Sequence, residues 1–389
     1  GVEASLTSSF FMIFSGAAIL ASIALYTRQP LLIAYIALGA IIGPYGTGWV
    51  TDLKLLAEIA EFGIIFLLFL LGLDMQPKSL YSTLKKATVV VLLSSLAFAA
   101  IGFGLAYSFG FTPTESLIIG AAMMFSSTII GIKLLPTTAL HHRYTGELMV
   151  GLLLLQDIIA IFVLLLLFSM SQGEFSATNL LRTLVALPAL IAIAFAVVRF
   201  VLLPMLTKFD RFHEYIFLLA IGWCLGMSEA AHSLGLSAEI GAFLAGISLA
   251  TSPISQYIAI NLKPLRDFFL ILFFFSLGAR FDLSVLADIL VPAILLAALI
   301  LILKPIIFRY LIHSMSETKK LAWDLGFRMG QISEFSLLIA YVAAEMLLIG
   351  REASHLIQAT VIISFVVSSY IVVFNYPSPI GISDKLRRD

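Results

Sequence analysis

Long apolar runs separated by short polar turns dominate the chain. Reading each run of about 20 apolar residues as a membrane-spanning helix predicts thirteen, at 8–26, 30–44, 55–73, 87–109, 115–135, 146–170, 179–205, 213–233, 237–251, 264–280, 285–312, 322–348 and 355–376. The second and ninth are short, near 15 residues, and are expected to lie steeply or to cross only partly. Composition strengthens the pattern: 61% of 389 residues are hydrophobic and 12% charged, about half the charged share of a soluble protein. No soluble fold hides that much apolar surface, whereas a helical bundle turns it toward lipid. The single cysteine, Cys224, lies inside an apolar run, which excludes a disulfide framework. The N-terminus GVEASLTSSFF lacks the positive charge that opens a signal peptide, so the first run is read as a retained helix.

Charge placement tests the count of helices. With the N-terminus outside, seventeen of the 23 Lys and Arg fall at cytoplasmic turns or helix ends, as the positive-inside rule requires. Four fall outside (Lys54, Arg182, Arg280 and Arg351), and Lys304 and Arg328 lie within predicted helices. A miscounted helix would invert every later loop and scramble this bias. No nucleic-acid partner is expected, and the net charge of zero says nothing about nucleic-acid or acidic partners.

The segment EFGIIFLLFLLGL from Glu61 aligns without a gap on DFFLILFFFSLGA from Asp267, an offset of 206. Phe69 then matches Phe275 and Gly72 matches Gly278; nearby, AYIALGAIIGP (34–44) echoes IGAFLAGISLA (240–250). Helices one to six (about 8–170) are thus expected to recur as eight to thirteen (about 213–376), with 179–205 as a linker. An odd number of intervening spans sets the copies in opposite orientation, the inverted-repeat plan of secondary transporters.

The offset also pairs FSSTIIG, from Phe125, with QISEFSL, from Gln331, so that Ser127 matches Ser333 and Thr128 matches Glu334. Polar clusters flanked by apolar residues at mid-helix can satisfy backbone groups freed where a helix is interrupted, and two interrupted helices would set half-helix ends at the midplane. In the sixth run, GLLLLQDIIAIFVLLLLF, Asp157 stands alone in apolar surroundings. An ionised carboxylate at the bilayer centre costs about 3 kcal/mol, and either a cation or a proton neutralises it. Gln156 beside it offers uncharged polar atoms. Lys304, in LILKPIIF, reads on composition as snorkelling toward the interface. Arg328 and Glu334, six residues apart and not on one face, are expected to pair with other helices. Glu58, Glu61, Glu229, His232 and Glu239 lie near helix ends and read as interfacial; His141 and His142 make no metal-ligand spacing.

The ordered runs IALGAIIGPYG, EIAEFGIIFLLFLLGLDM, SSTIIG, GLLLLQDIIAI, GLSAEIGAFLAGISLA and FFFSLGARFDL resemble the monovalent cation:proton antiporter-2 family, and within it the Kef-type potassium/proton antiporters, over nearly the whole chain. The resemblance implies an all-α polytopic fold of the NhaA/NapA-like antiporter kind: thirteen transmembrane helices, two inverted six-helix repeats, and crossed interrupted helices. It implies core ion-transport helices at about 115–170 and 285–348, and dimer or scaffold helices at about 8–73 and 213–280. Asp157 is then the cation- and proton-binding carboxylate, the monovalent cation's ligand, with Gln156, Ser126, Ser127 and Thr128 lining its site. Lys304 falls on the family's core lysine, and Arg328, Ser333 and Glu334 join it as charge-compensating or core residues.

Sodium-exchanging electrogenic relatives carry two adjacent acids where this chain has Gln156-Asp157, so the resemblance implies electroneutral exchange and tilts the substrate toward potassium, with sodium as the alternative. It implies no bound cofactor besides the transported potassium or sodium and protons. It also implies a homodimer in the lipid of a bacterial inner membrane, with the C-terminus cytoplasmic and an elevator movement. QYIAINLKPLRD replaces the acidic loop of glutathione-gated Kef proteins, and residues 377–389 include no nucleotide-binding fingerprint. No cytoplasmic regulatory domain is therefore expected within these residues, and such a domain or subunit is counted among the partners. A channel would need a filter motif such as TVGYG, and an aspartyl protease a second catalytic carboxylate; neither motif is visible.

Overall fold

The structure is a computed structural model, described here for residues 5–73, 75–135, 143–172 and 177–378. The chain is all-helical: α1 (Leu6–Tyr26), α2 (Leu31–Ile42), α3 (Leu53–Leu73), α4 (Pro77–Ser108), α5 (Pro113–Ala122), α6 (Thr128–Lys133), α7 (Arg143–Gln172), α8 (Ala177–Val197), a π-turn (Val198–Leu202), α9 (Leu203–Lys208), α10 (His213–Ser233), α11 (Ala238–Leu249), α12 (Ser255–Ala279), α13 (Leu283–Ser314), α14 (Lys319–Arg328), α15 (Phe335–Glu345) and α16 (Arg351–Asn375). Among the described residues, seven helical stretches are long and apolar enough to cross a membrane by themselves, and α2, α11 and part of α15 are shorter apolar helices. His141 and His142 lie outside the described residues.

Each predicted run coincides with helix, apart from non-helical segments at 123–127 and 329–334, and two starts are corrected. The fourth run starts at Pro77 rather than near 87, and the tenth, read as 264–280, corresponds to α12 and starts at Ser255. In both cases the helix extends through charged or polar residues that an apolar window excludes.

The repeat is written in the boundaries. The limits of α1 recur 207 residues later as α10, and those of α2, also displaced by 207, as α11. At a displacement of 206, α4 recurs as α13 and α5 as α14. Caps follow: Thr112 accepts from the Glu115 amide and opens α5, and Thr318 accepts from the Leu321 amide and opens α14. Left-handed turns follow as well. Arg28 (φ 59) ends the first helix as Gly235 (φ 85) ends its repeat mate, and Gly110 (φ 90) corresponds to Ser316 (φ 69). Glycine adopts this region without strain, and Arg28 and Ser316 take it at the matching positions.

The chain forms two compact units. One comprises residues 1–53, 83–156 and 274–389, the other residues 54–82 and 157–273. Inside the first, α13 packs along α14 and α16, and α5 and α15 lie on α16. Here α2 meets the end of α12 so closely that a Cβ on Gly39 would come within 2.0 Å of the Phe275 carbonyl oxygen. Inside the second, α10 packs on α11, and Trp223 donates to the Ala245 carbonyl at 3.1 Å. There a Cβ on Gly246 would stand 2.1 Å from the Phe69 carbonyl oxygen. Gly39 and Gly246 are repeat mates, as are Phe275 and Phe69, so one helix crossing is built twice, each time from one helix of either repeat.

Candidate functional site

Both expected interruptions are present. Helix stops after Ala122 and restarts at Thr128; it stops again after Arg328 and restarts at Phe335. Within the first unit the two breaks bind each other. The Ser333 amide donates to the Phe125 carbonyl at 2.9 Å, and the Ser126 hydroxyl donates to the Met329 carbonyl at 2.7 Å. The Ser127 amide donates to Gln331 Oε1 at 3.4 Å, and the Ser127 hydroxyl to Glu334 Oε2 at 2.9 Å. Ser127 also caps α6 by accepting from the Ile130 amide, and Thr128 is buried in that helix's first turn. These bonds answer the accounting demanded of backbone groups taken out of a helix in lipid.

Lys304 joins the breaks. Its ammonium donates to the Phe125 carbonyl at 3.0 Å and the Gln331 carbonyl at 2.9 Å, with Ser126 Oγ at 3.4 Å. It is 0% exposed, so it does not snorkel. Both carbonyls lie just past the C-terminal ends of α5 and α14, where a helix dipole is negative. The lysine charge is thus met by two helix ends. Among the described residues it makes no ion pair.

Gln156 on α7 accepts from the Ser126 amide through Oε1 at 2.8 Å, while its Nε2, on a side chain 2% exposed, has no hydrogen-bond partner among the described residues. The second repeat reproduces the bond: the Ile332 amide donates to Ser364 Oγ at 3.0 Å. Arg328 is fully buried and works differently from expectation. Its Nε pairs with Asp324 Oδ1 of its own helix at 2.5 Å, and its remaining nitrogens donate to the Leu134 and Pro377 carbonyls at 2.9 and 2.5 Å. The i,i+4 spacing to Asp324 was the available signal for the ion pair.

Asp157 follows Gln156 on α7 and belongs to the second unit. Its carboxyl is hydrogen-bonded to Glu239 near the start of α11, and the charge of Glu61 on α3 acts on Glu239. The interfacial reading of Glu239 therefore gives way. Ser237 caps α11 through the Ile240 amide, which fixes the turn carrying Glu239. Nothing in the local sequence signals the contact, because it depends on packing between residues far apart in the chain.

A bundle of apolar helices with two mutually bonded breaks, a buried lysine and a carboxyl pair defines a polytopic membrane protein of the secondary-transporter class. The transmembrane profile of the sodium/hydrogen exchanger family matches residues 11–374, and the chain belongs to that family. Its resemblance to the monovalent cation:proton antiporter-2 branch is supported by relatives. K(+) efflux antiporter 4 of Arabidopsis thaliana is 31% identical over 87% of this chain and 58% of its own length. The putative cation/proton antiporter YbaL of Escherichia coli is 27% identical, over 87% of this chain and 62% of its own length. The chain thus spans about three-fifths of these relatives. In structure it is similar to the sodium proton antiporter MjNhaP1 of Methanocaldococcus jannaschii, with a TM-score of 0.70 at 18% identity, covering 94% of this chain and 96% of that one.

Proposed function

We propose that the chain is a secondary active antiporter exchanging potassium for protons, one for one and without net charge movement. The hydrogen bond between the Asp157 and Glu239 carboxyls carries this reading. An ionised carboxylate only accepts, so two carboxyls within hydrogen-bonding reach bond to each other when one of them is protonated. Removing that proton leaves two like charges in apolar surroundings, which one monovalent cation relieves. The proton-loaded and cation-loaded pairs carry equal charge, so exchange is electroneutral although two acids take part. Coupling follows from exclusion: one pair does not hold both at once.

Lys304, engaged by carbonyls of both breaks, holds the crossing together. Ser126, Ser127 and Thr128 on one break, and Ser333 and Glu334 on the other, complete the transport core, with Arg328 bracing its base. Potassium is favoured by Gln156, which stands where electrogenic relatives carry a second acid, and by the K(+) efflux antiporters among the relatives. The duplicated helix boundaries support thirteen crossings in two inverted repeats. The charge bias supports an outer N-terminus and a cytoplasmic C-terminus in a bacterial inner membrane. The helices at 115–170 and 285–348 move as an elevator against those at 8–73 and 213–280 of a homodimer.

Reconstituted protein under an imposed pH gradient is the test, following lumenal pH as potassium, sodium or lithium is added. Potassium-dependent proton movement should occur in wild type, disappear in Asp157→Asn, and be insensitive to a voltage clamp by ionophore. Equal exchange in Asp157→Asn would remove Asp157 from the mechanism. A sodium preference would replace potassium, and a voltage effect would overturn electroneutrality.

A further inference from the structure

The positive-inside bias leaves few basic residues at outward-assigned turns, yet two of the four, Arg280 and Arg351, line a single cavity of about 300 Å³ in the first unit. Arg280 directly follows α12, and Arg351 begins α16, 71 positions later in sequence. His355, one turn along α16 from Arg351, and Gln358 line the same space, with Tyr45 from the α2–α3 loop. One carboxylate lines it, that of Asp282. Its Oδ1 is already taken by the Ser284 amide at 3.0 Å and hydroxyl at 2.6 Å, the N-cap of α13. Among the described residues neither guanidinium makes an ion pair or a side-chain hydrogen bond. Asp282, Arg351 and His355 are near enough to act on one another electrostatically.

Both arginines are solvent-exposed and bring two positive charges to one cavity against the single carboxylate of Asp282, with which Arg351 interacts. Water alone solvates an arginine equally well when the two stand apart. The cavity's excess positive charge disfavours a cation, so it is not a waiting room for the transported ion. Planar N–H forks bind the oxygens of a phosphate bidentately, and imidazole and amide supply further polar contacts. We infer that this cavity binds a phosphate group through Arg280 and Arg351, a site separate from the ion-exchange residues. The phosphate belongs either to a lipid headgroup of the outer leaflet or to a free anion.

The full chain in detergent is titrated with inorganic phosphate against chloride at matched ionic strength. It is also titrated with phosphatidylglycerol against a phosphate-free neutral lipid, monoolein. Thermal unfolding is the readout, since a ligand that binds the native state raises the midpoint. A saturable rise with phosphatidylglycerol alone identifies the lipid as the source; a rise with inorganic phosphate as well identifies an oxyanion site open to solvent. In either case Arg280→Gln/Arg351→Gln should weaken apparent affinity on the order of tenfold or more. Arg182→Gln, an outward-assigned arginine that does not line the cavity, should leave it unchanged. Asp282→Asn retains a capping side chain and should tighten binding, so a poorly folding double variant still leaves an independent test of opposite sign. No saturable rise with either ligand, or the same rise in the double variant as in wild type, overturns the assignment.

Discussion

Lys304 lies with Nζ 5.0 Å from the centre of the Phe98 ring, and the two residues are repeat mates, 206 positions apart. One position of the duplicated helix thus became a cation and the other the aromatic face it rests on. The duplication is symmetric in backbone and asymmetric in chemistry: Gln156 and Ser364 accept equivalent amides with different groups, and Glu239 has Leu32 as its counterpart in the first repeat.

Removing the lysine should therefore loosen the crossing as well as slow exchange. Lys304→Met takes the lysine donor from the Gln331 carbonyl and leaves the Phe125 carbonyl with the Ser333 amide alone, and one buried acceptor left unpaired costs about 1–3 kcal/mol. The expected result is a lower unfolding midpoint together with lost exchange. An unchanged midpoint would mean that water or another donor takes over.

Glu239→Gln keeps a hydrogen-bonding group beside Asp157 but removes the second negative charge. Exchange should persist, with the half-saturating potassium concentration raised about tenfold, the scale of one nearby charge. Initial rates against potassium at several pH values measure it. Wild-type affinity in the variant would confine Glu239 to packing.

Gly246→Ala would drive a methyl group into the Phe69 carbonyl, 2.1 Å from the new carbon. Overpacking of this kind costs at least about 2 kcal/mol, read as poor yield and a lowered midpoint. Gly226→Ala on α10 meets nothing within 4 Å among the described residues and should stabilise the chain by about 0.5–1 kcal/mol.

The Asp282 carboxyl is held below its ordinary 3.8, first by its bond with the Ser284 hydroxyl, then by the Ser284 amide. A carboxyl depressed on folding stabilises the native state fully above its unfolded value and loses that contribution as pH falls through the folded one. The α13 cap should therefore be unaffected between pH 7 and 4. Asp282→Ala should lower the unfolding midpoint at neutral pH and narrow its gap from wild type only in stronger acid. A gap already closing near pH 6 would show that another group governs it.

Asp157 and the two breaks were legible because bilayer physics penalises their residues wherever the fold places them. SSTIIG and QISEFSL announced interruption by being polar amid apolar neighbours, and gapless alignment of the segments from Glu61 and Asp267 announced the repeat. Glu239 was not legible, since an acid near a helix start is explained equally well by water. Composition alone sent Lys304 to the interface for a similar reason: a lysine near a helix end snorkels unless something inside the bundle needs its charge. Only the family resemblance put it in the core. The carbonyl ends that need it exist only once both breaks have met.

The order of synthesis gives those bonds a further consequence. The first break emerges from the ribosome with its Phe125 carbonyl bare, while Lys304 and Ser333, which complete it, are about two hundred residues away in sequence. During translation half of the crossing must wait in or beside the membrane, hydrated or held by the insertion machinery. A chain halted after α9 would carry a polar wound into lipid, and quality control should recognise it there.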